Sequence, residues 1–364
     1  MQKQESVRYF YIYERENEKY GLRYAIPEDA EKISRLYVQE YDYNYINPKM
    51  YDTSELQEII SEKNNIWIVG ENLKNQEIFA TSLMELKENY AFSSKTIIDK
   101  DYRGLGLGSK FGFMSVKHLN ESHIFDDRIK VDSDVRAVQI EAQKLTERAG
   151  GIPYGFIPFY NNFGDKRKLN TDYYTPYPVQ NEESAFLYFV PLAKLIENRI
   201  NEVFLLDDEL ISPLYDLMKD TKRIIKVMMK KDDITLLKKN TTPGYVEHND
   251  ISVSIDMYGS KIKLIGVSDI SVVNFLLNKF KNYRMLIWHI PTTQKGVKSM
   301  QQALEEGFIV CGYNVGSFKP RYSEGLIDSL IFVKYLNDIS KNTLGDINLT
   351  SKNKPFYEHV LTQM

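Results

Sequence analysis

Along the first half of the chain the period of the apolar residues changes repeatedly, and each change predicts an element. Residues 7–13 (VRYFYIY) read as a strand or an aromatic lead-in, and 22–26 (LRYAI) as a short strand. Pro27 then opens a helix, with Glu28 and Asp29 in its first turn and Ala30, Ile33, Leu36 and Tyr37 at helical spacing. That stripe predicts about fourteen helical residues, and residues 54–60 predict a second, shorter helix. Strands are expected over 66–69, 77–86 and 90–98, the last two joined tightly at Lys87-Glu88-Asn89. A glycine-rich turn follows, then a helix over 109–120, a strand over 129–135, and a helix over 138–149 closed by Gly150-Gly151. Strands at 152–159 and 184–191 flank a polar stretch, 160–180, whose Gly164, Pro176 and Pro178 predict a long loop.

This order predicts an α/β unit with a mixed, mostly antiparallel sheet over residues 1–195, followed by a charged, helix-prone linker at 195–203. A second unit is expected over 196–340. Its predicted strands lie at 203–206, 224–229, 251–257, 261–267, 283–290, 308–316 and 326–336, and its helices at 208–220, 269–280 and 296–306. Residues 341–364 read as a polar tail with at most a turn of helix. An internal repeat links the halves: RIKVDSDV, a helix and Gly150-Gly151-Ile152 are echoed by RMLIWHIP, a helix and Gly307-Phe308-Ile309. Each copy ends in an apolar strand, SAFLYFVPL and DSLIFVKYL.

With 364 residues, two domains are the natural expectation, and 43% hydrophobic with 27% charged residues is globular composition. Lys and Arg total 47 against 50 Asp and Glu, so no net charge draws the chain to nucleic acid. The single cysteine, Cys311, excludes an internal disulfide and a thiolate-built zinc site, which points to a reducing compartment, most simply the cytoplasm. Cys311 lies in an apolar strand, where a buried structural thiol is expected. The five histidines show no metal-ligand spacing, so no metal is expected. No apolar run reaches membrane-spanning length, and the N-terminus has no apolar signal core.

The chemistry concentrates in Arg103-Gly104-Leu105-Gly106-Leu107-Gly108, between a predicted strand and a predicted helix. Alternating glycines let the backbone approach a ligand closely, and successive amides can form an anion nest. The helix N-terminus adds free N–H groups and a positive dipole end, so the segment suits a phosphate or pyrophosphate. The G-x-G-x-G spacing is not the dinucleotide fingerprint, and the absence of Lys-Ser/Thr speaks against a nucleoside-triphosphate loop.

Read as Arg-x-x-Gly-x-Gly, Arg103, Gly106 and Gly108 resemble the acyl-CoA-binding turn of the GNAT superfamily of N-acetyltransferases. Residues 97–102 (IIDKDY) are similar to the strand exit before that turn, and the order of elements from Gly21 to Leu192 agrees with the family's fold. The C-terminal half resembles a second, degenerate copy, in which Val267-Ser268-Asp269 replaces the glycine turn. The resemblance implies an acetyl-CoA or other acyl-CoA donor and a small-molecule or peptide amine acceptor, with no nucleic acid and no membrane. It further implies that the amides of Arg103, Gly104, Leu105, Gly106, Leu107, Gly108 and Ser109 hold the CoA pyrophosphate, and that the pantetheine arm pairs near Thr96, Ile97 and Ile98.

Direct acetyl transfer needs a group to accept the amine's proton and a proton for the departing thiolate. Where many family members carry a Tyr in A-x-x-L-Y-x-x-x-G-F, this chain has Thr146, with Gly151 in place of the Phe. A Thr hydroxyl is a poor acid, which opens the alternative of a non-catalytic CoA-binding protein. Glu85 and Glu88 are the candidate bases, and Tyr41, Tyr43, Tyr90 and Ser93 candidate linings of the acceptor pocket. An aminoacyl transferase using charged tRNA is disfavoured by the acidic balance and the retained turn.

Overall fold

Glu16 and Asn17, with φ of 52° and 63°, turn the chain tightly between β1 (Tyr11–Arg15) and β2 (Glu18–Tyr24). The computed structural model describes residues 8–167, 175–218, 225–230, 251–320, 325–337 and 344–364. Helix α1 (Ala30–Tyr41) buries the stripe Ala30, Ile33, Leu36 and Tyr37; at 12 residues it stops short of the expected length, where Asp42 turns left-handed. Asp52 caps α2 (Thr53–Ser61), its carboxylate accepting the amides of Ser54 and Glu55 at 2.9 and 3.0 Å. Strands β3 (Asn65–Asn72), β4 (Glu77–Leu86) and β5 (Tyr90–Ile98) follow. Helices α1 and α2 cover one face of this sheet, against Trp67, Val69, Leu83 and Ile97. Helix α3 (Leu107–Glu121) covers the other, with Leu107, Phe111 and Leu119 against Ile68, Phe79 and Met84.

From α3 the chain runs through β6 (Lys130–Arg136), α4 (Ile140–Arg148), β7 (Ile152–Phe163) and β8 (Asn181–Pro191). The second half contains α5 (Leu195–Asn198), β9 (Glu202–Leu206), α6 (Ser212–Leu217), β10 (Ile225–Met229), β11 (Ser252–Asp256) and β12 (Lys261–Ile265). It continues with α7 (Ile270–Lys279), β13 (Met285–Pro291), α8 (Gln294–Glu305), β14 (Ile309–Phe318), β15 (Ile327–Tyr335) and α9 (Lys354–Leu361). Among the described residues, 13 strands form one mixed, mostly antiparallel sheet in the order β1-β2-β3-β4-β5-β6-β8-β7-β14-β15-β13-β12-β11. Strands β9 and β10 form a separate parallel pair.

The pairing pattern occurs twice. β4 and β5 are antiparallel, β5 and β6 parallel, and β6-β8-β7 antiparallel. In the same chain order β11 and β12 are antiparallel, β12 and β13 parallel, and β13-β15-β14 antiparallel. The halves meet where β7 pairs with β14 at Gly155 and Gly312. A Cβ on Gly312 would stand 2.6 Å from the Tyr154 carbonyl oxygen and 2.9 Å from Gly155 Cα, so this crossing of backbones requires glycine. One apolar core runs across the join, from Tyr154, Phe156 and Phe186 to Trp288, Ile331 and Phe332.

Several expectations need correction. The stretch 160–180 is not loop from its start: β7 continues to Phe163 past an irregularity at Phe159, whose φ is 54°. Residues 168–174 of that stretch lie outside the described residues. The helix expected over 208–220 is confined, among described residues, to α6. The helix-prone stretch at 195–203 does carry a helix, α5, and is held in place by Arg199, whose Nε donates to Asp328 Oδ1 at 2.7 Å in a buried ion pair that also receives the Tyr313 hydroxyl at 2.6 Å. The polar tail carries α9, which buries Phe356 and Val360 between its polar positions. Asn353 donates to Gln143 of α4 at 2.9 Å, and Gln363 bonds both backbone groups of Val310 at 2.7 and 3.0 Å.

Candidate active site

Strands β5 and β6 run side by side for four residue pairs, Tyr90–Lys130 to Ser93–Ser133, and then part. Both continue, β5 beside β4 and β6 beside β8 as far as Arg136–Ala185. The parting follows from a bulge in β5. Lys95 has φ of 56°, the β4–β5 register shifts between Thr81 and Leu83, and the Tyr37 hydroxyl holds the Lys95 carbonyl at 3.2 Å. Beyond Ser93 and Ser133 the facing edges of the two strands are therefore unpaired with each other.

A cavity of about 780 Å³ opens at this wedge and is lined from both faces of the sheet. Phe111, Gly112 and Ser115 of α3 and Ala142, Leu145 and Thr146 of α4 line one side. Tyr37, Tyr41 and Tyr45 line the other, under a roof made by Asp256, Tyr258 and Gly259 of the second half. Arg284 fixes that roof: its guanidinium donates to the carbonyls of Phe159 and Gly259, each at 2.6 Å, bridging the two halves.

The glycine turn stands at the exit of β5. Gly104 and Gly106 are left-handed, with φ of 80° and 74°, and a Cβ on either would meet open space. Gly106 caps α3, which begins at Leu107, two residues before the position expected from sequence. The first intrahelical bond runs from the Lys110 amide to the Gly106 carbonyl at 3.2 Å, so the amides of Leu107, Gly108 and Ser109 have no helical partner. A Cβ on Gly108 would lie 3.1 Å from Ile98 Cγ1, which shows how closely the helix sits on the strand exit. Arg103 turns its side chain back onto the scaffold, donating to the Ile98 carbonyl at 2.9 Å and pairing with Glu40.

Of the residues singled out from sequence, Tyr41, Ser93, Thr96, Ile97 and Thr146 line the cavity. The Thr146 hydroxyl donates to the Ala142 carbonyl at 3.0 Å, one turn back in its own helix. Glu85 and Glu88 lie elsewhere, in a hollow of about 480 Å³ beside Lys87 and Lys95. Burial alone would raise the Glu85 carboxyl, but Lys95 at 3.0 Å and Lys87 at 2.9 Å outweigh it and hold it below the usual range. A carboxylate so satisfied is a weak proton acceptor. Glu88 is exposed and pairs with Lys319 at 2.9 Å. Tyr43 is outside the cavity, its ring covered by the Arg167 guanidinium at 3.5 Å. Tyr90 is also outside its lining, and burial, with Asp132 and Glu85 nearby, pushes its phenol up to about 12. Ile98 packs toward Gly108 rather than into the cavity.

Sequence reasoning passed over Asp134, Arg136, Phe163, Asp256 and Tyr258, all cavity residues. Arg136 is neutralised by a two-pronged pair to Glu183, both bonds 2.6 Å, and its guanidinium lies 4.7 Å from the Phe163 ring centre. The available signal was charge within a core strand, since RIKVDSDV places Lys130, Asp132 and Asp134 on alternate positions of β6. Three ionisable groups on one face of a central strand require compensation or a use.

The corresponding place in the second half is closed. The ladder β12–β13 pairs all five residues of β12, Lys261–Met285 to Ile265–His289, and the Gly266 amide extends it to the His289 carbonyl at 3.0 Å. Among the described residues no cluster of three or more His, Cys, Asp or Glu is placed to hold a metal, and no helix is long and apolar enough to cross a membrane.

No family model matches the chain, and no curated protein does. Solved structures do share part of its outline. A ribosomal-protein-S5-alanine acetyltransferase from Vibrio fischeri is 11% identical, with a TM-score of 0.38, over 50% of this chain and 96% of its own. A ribosomal-protein-S18-alanine N-acetyltransferase from Escherichia coli is 14% identical, with a TM-score of 0.35, over 47% and 93%. An acetyltransferase of the GNAT family from Streptococcus pneumoniae is 14% identical, with a TM-score of 0.37, over 48% and 99%.

Proposed function

We propose that this chain is an acyl-CoA-dependent N-acyltransferase that moves an acetyl group from acetyl-CoA directly to an amine. In this reading residues 1–195 form the catalytic GNAT domain, and residues 196–340 form a degenerate second copy that covers the acceptor side. The observation that carries the reading is the parting of β5 from β6 beside a left-handed glycine turn. An extended chain with amide groups, such as pantetheine, can pair with the free edge of β5 beyond Ser93 as an added strand. The amides from Arg103 to Ser109, at the positive end of α3, suit a pyrophosphate. A thioester carried into the wedge would meet backbone N–H groups able to polarise its carbonyl. Donor binding is assigned to the first half alone, because the second half's equivalent ladder is closed and its turn lacks glycines.

In transfer the amine nitrogen bonds to the thioester carbonyl carbon, the carbon–sulfur bond breaks, and the amine loses a proton. A thiol of ordinary pKa, about 8.5, can leave as thiolate and take its proton from solvent, so the engaged Thr146 hydroxyl is not needed as an acid. That engagement also favours a second reading, a CoA-binding protein without turnover. Calorimetric titration with acetyl-CoA, CoA and NADH tests the proposal. One acetyl-CoA site per chain and no NADH binding support it; absence of binding by both CoA species removes it. Binding without thiol release across primary amines selects the second reading.

A further inference from the structure

Asp134 is the first residue of β6 past the point where the two central strands part, and it lines the cavity there. Several other charged groups near that point have a partner, although Lys263 of β12 has none among the described residues. Arg136 is paired with Glu183, Lys95 with Glu85, and Asp256 with Lys261 at 3.5 Å. Among the described residues no side chain forms an ion pair or hydrogen bond with Asp134; its own backbone amide donates to the carboxylate, while Lys261 and Lys95 act on it only from beyond contact. A carboxylate inside a protein with no cation in contact is costly; the lysines nearby offset part of that cost, and a cationic ligand in contact offsets more. The walls on the acceptor side are the rings of Tyr41, Tyr45, Phe163 and Tyr258. Such walls suit a flat apolar arm and also favour a neighbouring positive charge.

We propose, on the footing of the acyltransferase reading, that Asp134 binds the acceptor's ammonium group and takes its proton, and that the acceptor is a primary amine carried on an aromatic arm. The step balances as follows. The ammonium gives one proton to the Asp134 carboxylate. The freed nitrogen attacks the acetyl carbonyl of acetyl-CoA, the carbon–sulfur bond breaks, and CoA departs as thiolate. The nitrogen's second proton matches the one the thiolate needs, and Asp134 returns its own proton to water. The products are the N-acetyl amine, CoA thiol and one proton.

The surroundings set the pH at which this works. Burial raises the Asp134 carboxyl above its usual range, and Glu85 on β4 adds to the rise. Lys261 opposes it most, followed by the residue's own amide and Lys95 on β5; Lys263, beside Lys261 on β12, also faces it. The phenols of Tyr45 and, on β7, Tyr154 and Tyr160 also face it, and burial holds all three well above their usual value, so they stay neutral. The base is active only when ionised. Activity therefore falls as pH drops through a carboxyl pKa lying above the ordinary value of about 3.9.

The test uses the full chain, acetyl-CoA and phenethylamine, with Asp134→Asn and Asp134→Glu. Acetyl-CoA titration comes first: no binding even by the unaltered chain would overturn the acyltransferase reading itself, and this proposal with it. If the unaltered chain binds acetyl-CoA but does not acetylate phenethylamine, the donor site stands and the acceptor proposal falls. The expected result is acetylation by the unaltered chain and undiminished acetyl-CoA affinity in both variants. In Asp134→Asn, kcat/KM for phenethylamine should drop about 100-fold or more, with loss of the acid limb. Asp134→Glu should retain that limb and part of the rate. A kcat/KM within about threefold in Asp134→Asn, with the acid limb intact, would refute the assignment.

Discussion

Gly106→Val separates the role of the glycine turn in binding from its role in folding. Valine at φ of 74° is forced into the left-handed region, at a cost of about 1–2 kcal/mol. No heavy atom lies within 4 Å of the new Cβ, so no packing clash adds to this. Spread over the unfolding entropy of a chain of this length, the loss lowers Tm by only about 1–3 °C. The effect on the donor is larger. Close approach of a pyrophosphate to the amides before α3 makes charge-assisted hydrogen bonds of about 1.5–3 kcal/mol each. Blocking two of them weakens acetyl-CoA binding by roughly 100-fold or more. Isothermal calorimetry gives the affinity, and differential scanning calorimetry the stability. Gly345→Val is the internal control: Gly345 has φ of 67° and the same open surroundings, and it is not among the residues that line the cavity. It should lose similar stability and no affinity. Equal affinity in Gly106→Val and the unaltered chain, with the fold intact, would refute the assignment of the turn.

Three further outcomes follow from the packing. Gly312→Ala places a Cβ 2.6 Å from a carbonyl oxygen across the β7–β14 join, where only backbone could yield. It should cost about 3 kcal/mol in denaturant unfolding, whereas an unchanged midpoint would show that the halves can separate freely. Phe356→Ala, which empties a buried site beneath α9, should cost about 3–5 kcal/mol; a loss under about 1 kcal/mol would mean the C-terminal segment is not docked in solution. Cys311 is fully buried and its thiol is pushed up by that burial, so a disulfide reagent should leave it unmodified in the native chain and react on unfolding. Rapid native labelling would contradict its placement.

Local signals in the sequence determine much of the molecule. The stripe of Ala30, Ile33, Leu36 and Tyr37 makes a helix wherever its apolar face finds a sheet. The glycines at 104 and 106 permit the left-handed backbone they adopt, because φ depends on a residue's own side chain. The echo between RIKVDSDV and RMLIWHIP corresponds to β6 and β13, which hold equivalent positions in the repeated pairing pattern. What distant residues decide is not written locally. Whether a parallel ladder closes or parts depends on the bulge at Lys95 and on β6 following β8 some fifty residues later. The sequence shows Glu85 and Asp134 alike as strand carboxylates; only packing puts two lysines in contact with the first and none in contact with the second, at the wedge. The polar positions of 344–364 likewise conceal Phe356 and Val360, whose burial needs a groove made by β7 and β14. Backbone preference acts over a few residues, whereas pairing, burial and charge compensation join residues remote in the chain, and those are what make the site.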